Sequence, residues 1–198
     1  MIKLASANPG LAVSFGAIPF LIGELVSPSE GVKCSSLRAL GVLARAGAEF
    51  AEAVAAGGGG LSALRLAGHR AAPVRAAAAT LVRDIIRSSV DLAQAVVAIG
   101  GCGTLVSMLR HADSATVAAA CAALRGLARH SAQAVIQAKA IEVLHLVLEG
   151  ADAAVQCAVL RTLCRIAEHA PPHSIHNSVL SRGLDIISFQ TRCRAMKK

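Results

Sequence analysis

The sequence predicts an all-α fold, a right-handed superhelical solenoid of about four repeats with three helices each and partial units at the two ends. The first observation behind this is internal repetition. "LRALGVLARAG" from Leu37, "ATLVRDIIRSS" from Ala79, "ALRGLARHS" from Ala123 and "TLCRIAEHA" from Thr162 align as ends of amphipathic helices. Their anchor pairs are Leu40/Leu43, Val82/Ile85, Leu124/Leu127 and Leu163/Ile166, so the period runs 43 to 85, 85 to 127 and 127 to 166, or 42, 42 and 39 residues. The second observation is a further series between these anchors: "SFGAIPFLIGEL" from Ser14, "AAGGGGLSALRL" from Ala55, "AIGGCGTLVSML" from Ala98 and "QAKAIEVLHLVL" from Gln137. The third is the runs of small residues, "AAAATL" at 76–81 and "VAAACAAL" at 117–124, which let neighbouring helices approach without loss of helix propensity.

Each unit reads as a short first helix, a tight corner, an apolar second helix and a longer third helix that begins after "SPSE", "AAP", "ADSA" or "GADA". The short last step has a location: "SSVDLAQAVV" at 88–97 corresponds to "HSAQAVI" at 130–136, three residues fewer between one third helix and the next first helix. The corners fall at 16–17, 57–60, 100–103 and 139–140. Gly57 to Gly60 would suit a phosphate cradle only with a preceding strand and a following Lys-Ser/Thr, and neither is present. A corner repeated once per unit is architecture, with glycine admitting positive φ. Four glycines exceed what one such turn needs, and the surplus reads as a looser joint.

Composition bounds the function. At 198 residues and 55% hydrophobic content the chain can bury a core, which argues against disorder. The excess of 20 Lys+Arg over 12 Asp+Glu, a net +8, favours acidic partners. Four Phe with no Tyr or Trp leave little to stack bases on, so no direct nucleic-acid contact is expected. The six Cys, with no CxxC pair, read as reduced core fillers in a cytoplasmic protein. The longest uncharged run, Leu4 to Gly23, carries Pro9, Pro19 and three glycines, so no membrane span is predicted. The first 23 residues hold no acid but only one basic residue, Lys3, too few for a transit peptide.

Three helices per unit of about forty residues is the armadillo signature, and "NPGLAVSFGAIPFLIGEL" with "VKCSSLRALGVLAR" resembles the repeat pattern of the armadillo family over about residues 8–170. More narrowly, "SVDLAQAVVAIGG", "LARHSAQAV" and "IAEHAPPHS" are similar to the axonemal central-pair armadillo proteins of the sperm-associated antigen type. Members of that subfamily are much longer, and "KLASANPG" reads as a third-helix tail running into the next first helix, so the array is expected to begin in mid-repeat, as a short paralogue or as part of a larger array. The domain division that follows is an armadillo array over 1–178, including one short helix at about 172–178, and a divergent basic segment over 179–198.

Candidate sites lie on the third helices, the concave face of armadillo proteins. Peptide-binding members such as importin-α are expected to carry a Trp and an Asn four residues apart there. This chain has Arg38, Thr80, Ala122 and Arg161 at the Trp-equivalent positions and Val42, Asp84, Gly126 and Arg165 at the Asn-equivalent ones, so binding of that kind is not expected. Arginine stands there instead, suited to bidentate contact with carboxylates. The partner-binding candidates are Arg38, Arg83, Arg125, Arg161 and Arg165, with Arg192, Arg194, Lys197 and Lys198 in the tail. Arg45, Arg87 and Arg129 share one register near the helix ends and are read as contacts to terminal carbonyls or as solubilising charge. His169 aligns with His130 at a helix C-terminus, so its grouping with His173 and His176 is read as helix termination rather than a metal site. No Ser-His-Asp or Cys-His constellation stands out, and neither cofactor nor metal is expected.

The resemblance implies a non-catalytic scaffold or protein-interaction subunit, a structural component of the flagellar or ciliary axoneme in its central apparatus. Its partners would have acidic surfaces, such as tubulin or axonemal subunits, and its end repeats would stack on other armadillo subunits. Two alternatives stay open: a general adaptor that binds a peptide or helix of a cytosolic complex, and an accessory structural subunit of a large enzyme or ribonucleoprotein assembly.

Overall fold

The structure, a computed structural model, describes residues 7–111 and 113–170. Within them eleven α-helices follow one another: α1 (Pro9–Ser14), α2 (Ala17–Gly23), α3 (Glu30–Ala46), α4 (Ala48–Ala56), α5 (Gly59–Leu66), α6 (Ala72–Ile86), α7 (Val90–Ala98), α8 (Gly101–Met108), α9 (Ser114–Gln137), α10 (Ala140–Gly150) and α11 (Ala153–His169). A single 3-10 turn, Glu24–Val26, extends α2. They form four units of three helices, with α3, α6, the first part of α9 and α11 as the third helices. The expected mid-repeat start, the helix at 172–178 and the basic segment 179–198 lie outside the described residues.

Local chemistry sets these boundaries. The third helices begin after Ser29, Ala71, Asp113 and Asp152, whose spacing repeats the period. Three of the four cap their helix: Ser29 accepts from Val32 N at 3.4 Å, Asp113 from Thr116 N at 2.8 Å and Asp152 from Val155 N at 2.8 Å. Ala71 has no side chain to do so, and Pro73 opens that helix instead.

The corner between first and second helices is one left-handed residue in every unit: Gly16 (φ 73°), Gly58 (φ 90°), Gly100 (φ 80°) and Lys139 (φ 59°). Of the four glycines at 57–60, three answer a steric demand. A Cβ on Gly57 would lie 3.0 Å from Ile22 Cδ1 and 3.1 Å from Ile18 Cγ2 of the preceding unit. Gly58 supplies the turn, and a Cβ on Gly59 would meet the Val54 carbonyl oxygen at 2.8 Å. The run is therefore a close-packed joint, which corrects its reading as a loose one.

The three-residue deletion also has a structural outcome. Units one and two are joined by Gly47, and units two and three by a turn at 87–89. Between units three and four the break shrinks to one residue: Ser131 leaves helical geometry (φ −148°, ψ 56°), and the third helix and the next first helix meet there at a kink within α9.

The core runs along the solenoid. All eight anchor residues are at most 1% exposed, and α3 packs on α6, α6 on α9 and α9 on α11. Ala77, Ala78, Ala120, Ala123 and Cys121 are buried between these helices, so close approach rests on small side chains as expected. Burial pushes the Cys121 thiol up to about 12 and Cys102 up to about 11, leaving both protonated and inert. Cys157 is exposed, however, and is no core filler. Among the described residues no single helix is long and apolar enough to cross a membrane.

Polar contacts also tie successive units together. Thr162 Oγ1 donates to the Cys121 carbonyl at 3.0 Å, Ser88 Oγ to Ala44 O at 3.2 Å and Ser114 Oγ to Asp152 Oδ2 at 2.6 Å. The buried Arg75 donates to the carbonyls of His69 and Arg70, both at 2.8 Å, and pairs with Asp113 of the next unit. Partial burial pushes the Asp113 carboxyl up, but hydrogen bonds from Thr116 and Arg75 outweigh it and hold the pKa below the usual value.

Two predictions follow from this geometry. Gly58→Ala meets no neighbour within 4 Å, so its cost is conformational alone, about 1 kcal/mol, whereas Lys139→Gly relieves the same strain and stabilises by about 0.5–1 kcal/mol in chemical denaturation. Asp113→Asn keeps the cap but loses the charge. Because the folded pKa is depressed, the stability that Asp113 contributes is present above its unfolded pKa and lost as pH falls through the folded one. Wild type should therefore exceed the variant at pH 7 and converge with it at about pH 2.

Candidate interaction surface on the third helices

The period places equivalent side chains of the third helices side by side. At the Trp-equivalent register Arg38 and Arg161 are exposed, Ala122 is small, and Thr80 turns its hydroxyl back onto Ala76 O at 2.8 Å. At the Asn-equivalent register none of Val42, Asp84, Gly126 and Arg165 is an amide. No ladder of side-chain amides lines this face.

Asp84 is instead an internal anchor. It is 1% exposed, and its carboxylate joins two units: Oδ2 pairs with Arg45 of α3, while Oδ1 accepts from Arg83 Nε at 2.9 Å and Nη2 at 2.7 Å. Gly41 leaves the necessary room, since a Cβ there would stand 3.1 Å from Asp84 Oδ2. A buried carboxylate needs such charge-assisted donors to offset its lost hydration.

One unit further along, α6 and α9 enclose a cavity of about 290 Å³ lined by Arg83, Ile86, Arg87, Ala122, Arg125, Gly126, Arg129 and His130. Its floor is low because Ala122 and Gly126 offer little side chain; a Cβ on Gly126 would come within 3.2 Å of Ile86 Cγ2. Four of its eight lining residues are arginines. Among the described residues, Arg87, Arg125 and Arg129 form no ion pair with a carboxylate. Burial first, and then the positive charges of Arg161, Arg165 and Arg83, lower the pKa of the Arg125 guanidinium. Arg161 and Arg165 therefore continue the same positive field beyond the cavity.

Of the arginines that the sequence singles out, the structure gathers Arg83, Arg125, Arg161 and Arg165 along one face. Arg83 is committed to Asp84, and Arg165 also pairs with Glu168 at 3.4 Å. Arg38 does not line the cavity. Arg192, Arg194, Lys197 and Lys198 lie outside the described residues, as do His173 and His176. His169 Nδ1 stands 3.1 Å from the Arg165 carbonyl, in keeping with helix termination. Of Arg45, Arg87 and Arg129, read from sequence as terminal or solubilising, Arg45 departs from that reading because it holds a buried acid, while Arg87 and Arg129 line the cavity. The signal for this was an acid in a third helix with arginine beside it and another arginine 39 positions earlier. Among the described residues no group of three His, Cys, Asp or Glu could hold a metal ion.

No family model and no curated protein matches the chain. Solved structures do. A designed armadillo repeat protein superposes with a TM-score of 0.81 at 19% identity, over 98% of this chain and 87% of that one. A second, designed and in complex with the peptide (KR)4, gives a TM-score of 0.78 at 18% identity with the same coverage. An engineered protein matches with a TM-score of 0.78 at 26% identity, over 84% of this chain and 68% of its own. The fold is thus the armadillo-type solenoid expected from the repeat.

Arg45 and Arg129 share a register but not a role. Arg45→Ala leaves the Asp84 carboxylate buried with fewer donors and should cost about 1–3 kcal/mol. Arg129→Ala should change stability by less than about 0.5 kcal/mol. Denaturant midpoints of the two variants check this.

Proposed function

We propose that the chain is a non-catalytic armadillo-type scaffold whose third-helix face binds an acidic, extended segment of a partner protein. The observation that carries this reading is the gathering of Arg125, Arg161 and Arg165 on one face beside a groove lined by Arg87 and Arg129. A designed neighbour is in complex with a peptide of alternating Lys and Arg. Here the third helices carry arginines themselves, so a complementary segment is of opposite sign. The open, repetitive surface suits binding better than turnover.

The finer reading is a seat in the flagellar or ciliary axoneme. Its support is the similarity of "SVDLAQAVVAIGG", "LARHSAQAV" and "IAEHAPPHS" to central-pair armadillo proteins, together with the net charge of +8. The acidic tails of tubulin are a chemically matched partner, and the basic residues Arg192, Arg194, Lys197 and Lys198 add to that match.

Fluorescence anisotropy separates these levels. A labelled acidic peptide should bind, weaken as salt rises, and lose affinity on Arg161→Gln/Arg165→Gln, while (KR)4 should not bind. Preference for (KR)4 would overturn the reading. For the axonemal seat, the chain should co-sediment with microtubules or axonemal extract and concentrate in the flagellum when tagged; failure of both would remove that seat and leave the scaffold.

A further inference from the structure

The chain carries its own example of an anion bound at this face. Where the first unit meets the second, Arg45 and Arg83 close on the Asp84 carboxylate. Moved along by one period of 42 residues, those three positions become Arg87, Arg125 and Gly126. The two cations recur, and the acid is replaced by a residue with no side chain. The 290 Å³ cavity is lined in part by that glycine, whose own Cβ would point at Ile86 Cγ2 at 3.2 Å, and Arg129 and His130 are added to its wall. At the third junction the same positions hold Arg129, Cys164 and Arg165, so the cation pair does not recur there.

We propose that this cavity is a phosphate-monoester site, which takes a phosphorylated serine or threonine side chain of the bound segment. The inference rests on the reading of this face as a seat for acidic segments and specifies its ligand. A single carboxylate satisfies the first junction, where two arginines converge. The second junction gathers Arg87, Arg125 and Arg129, none of them paired with a carboxylate among the described residues, and a dianion with three acceptor oxygens matches three forked donors better than a monoanion does. The repulsion that Arg125 feels from Arg83, Arg161 and Arg165 is relieved by the same charge. The floor of Ala122 and Gly126 gives the oxygens access to the guanidinium groups.

The test uses the full chain and a fluorescein-labelled acidic peptide with one central serine, compared with the same peptide carrying phosphoserine. Phosphorylation should tighten binding by about tenfold. Gly126→Asp, for which Ile86 Cγ2 must yield by a few tenths of an ångström, should set a carboxylate beside Arg87 and Arg125 and bring the two affinities to within about twofold, and Arg87→Gln/Arg125→Gln should do the same. Circular-dichroism melts check that both variants fold, and Arg87→Gln/Arg125→Gln, which removes only cations from a positive cluster, is the arm least exposed to misfolding. Equal affinity of wild type for the two peptides would overturn the phosphate site and leave the acidic-segment face standing. Failure of both peptides to bind would remove the face and the site together. A tenfold gain that persists in both variants would also overturn the assignment, as would binding to vesicles containing phosphoinositide with no gain from phosphoserine.

Discussion

The third helices bury one another, and the rest of the structure depends on that stack. A unit of about forty residues cannot hide its own apolar face, so each becomes stable only against its neighbours. Here the seam is made of Leu40 and Leu43, Val82 and Ile85, Leu124 and Leu127, and Leu163 and Ile166, all excluded from solvent, with alanines between them. The period follows from this: the corners recur in every unit, and the helix starts keep step with them, because each helix must meet the next in the same register. A left-handed residue at each corner keeps that register, even where Lys139 must take the place of glycine.

The same periodicity makes the charge pattern informative. Repeats that share a backbone offer equivalent sites, so a difference between two junctions can be read against a constant frame. Arg45 and Arg83 around Asp84 form a closed, neutralised contact that fastens the first two units. One step along, equivalent arginines surround Gly126, and the charge stays on the surface. Internal and surface charge thus occupy the same register, and the identity of one residue, aspartate or glycine, separates them. Neighbouring cations are kept close despite repulsion because the stack fixes the helices that carry them.

Much of the fold was legible in the sequence because the signals were periodic. The anchors, the helix starts and the corners repeat at 42, 42 and 39 residues, and repetition discriminates against chance. What escaped was set by contacts across units. Asp84 looked like one failed position of an amide ladder; its role depends on Arg45 arriving from the previous helix. Gly57 looked surplus until Ile18 and Ile22 of the preceding unit were seen to press on it. The short third step showed where residues were missing, but not that the junction would shrink to a one-residue kink at Ser131. For the candidate site, charge and register identified Arg125, Arg161 and Arg165 and overlooked Arg87 and Arg129, because an arginine near a helix end has an ordinary explanation that sequence alone does not displace.

The central claim is that the third-helix face, and not another surface of the solenoid, receives an acidic segment. Hydrogen–deuterium exchange with and without a bound acidic peptide tests this most directly, since protection reports where the ligand rests. The account predicts slowed exchange confined to the neighbourhoods of Thr80–Arg87, Ala122–Arg129 and Arg161–Arg165. Protection on the first helices instead, in α4 and α7, with these segments unchanged, would contradict it.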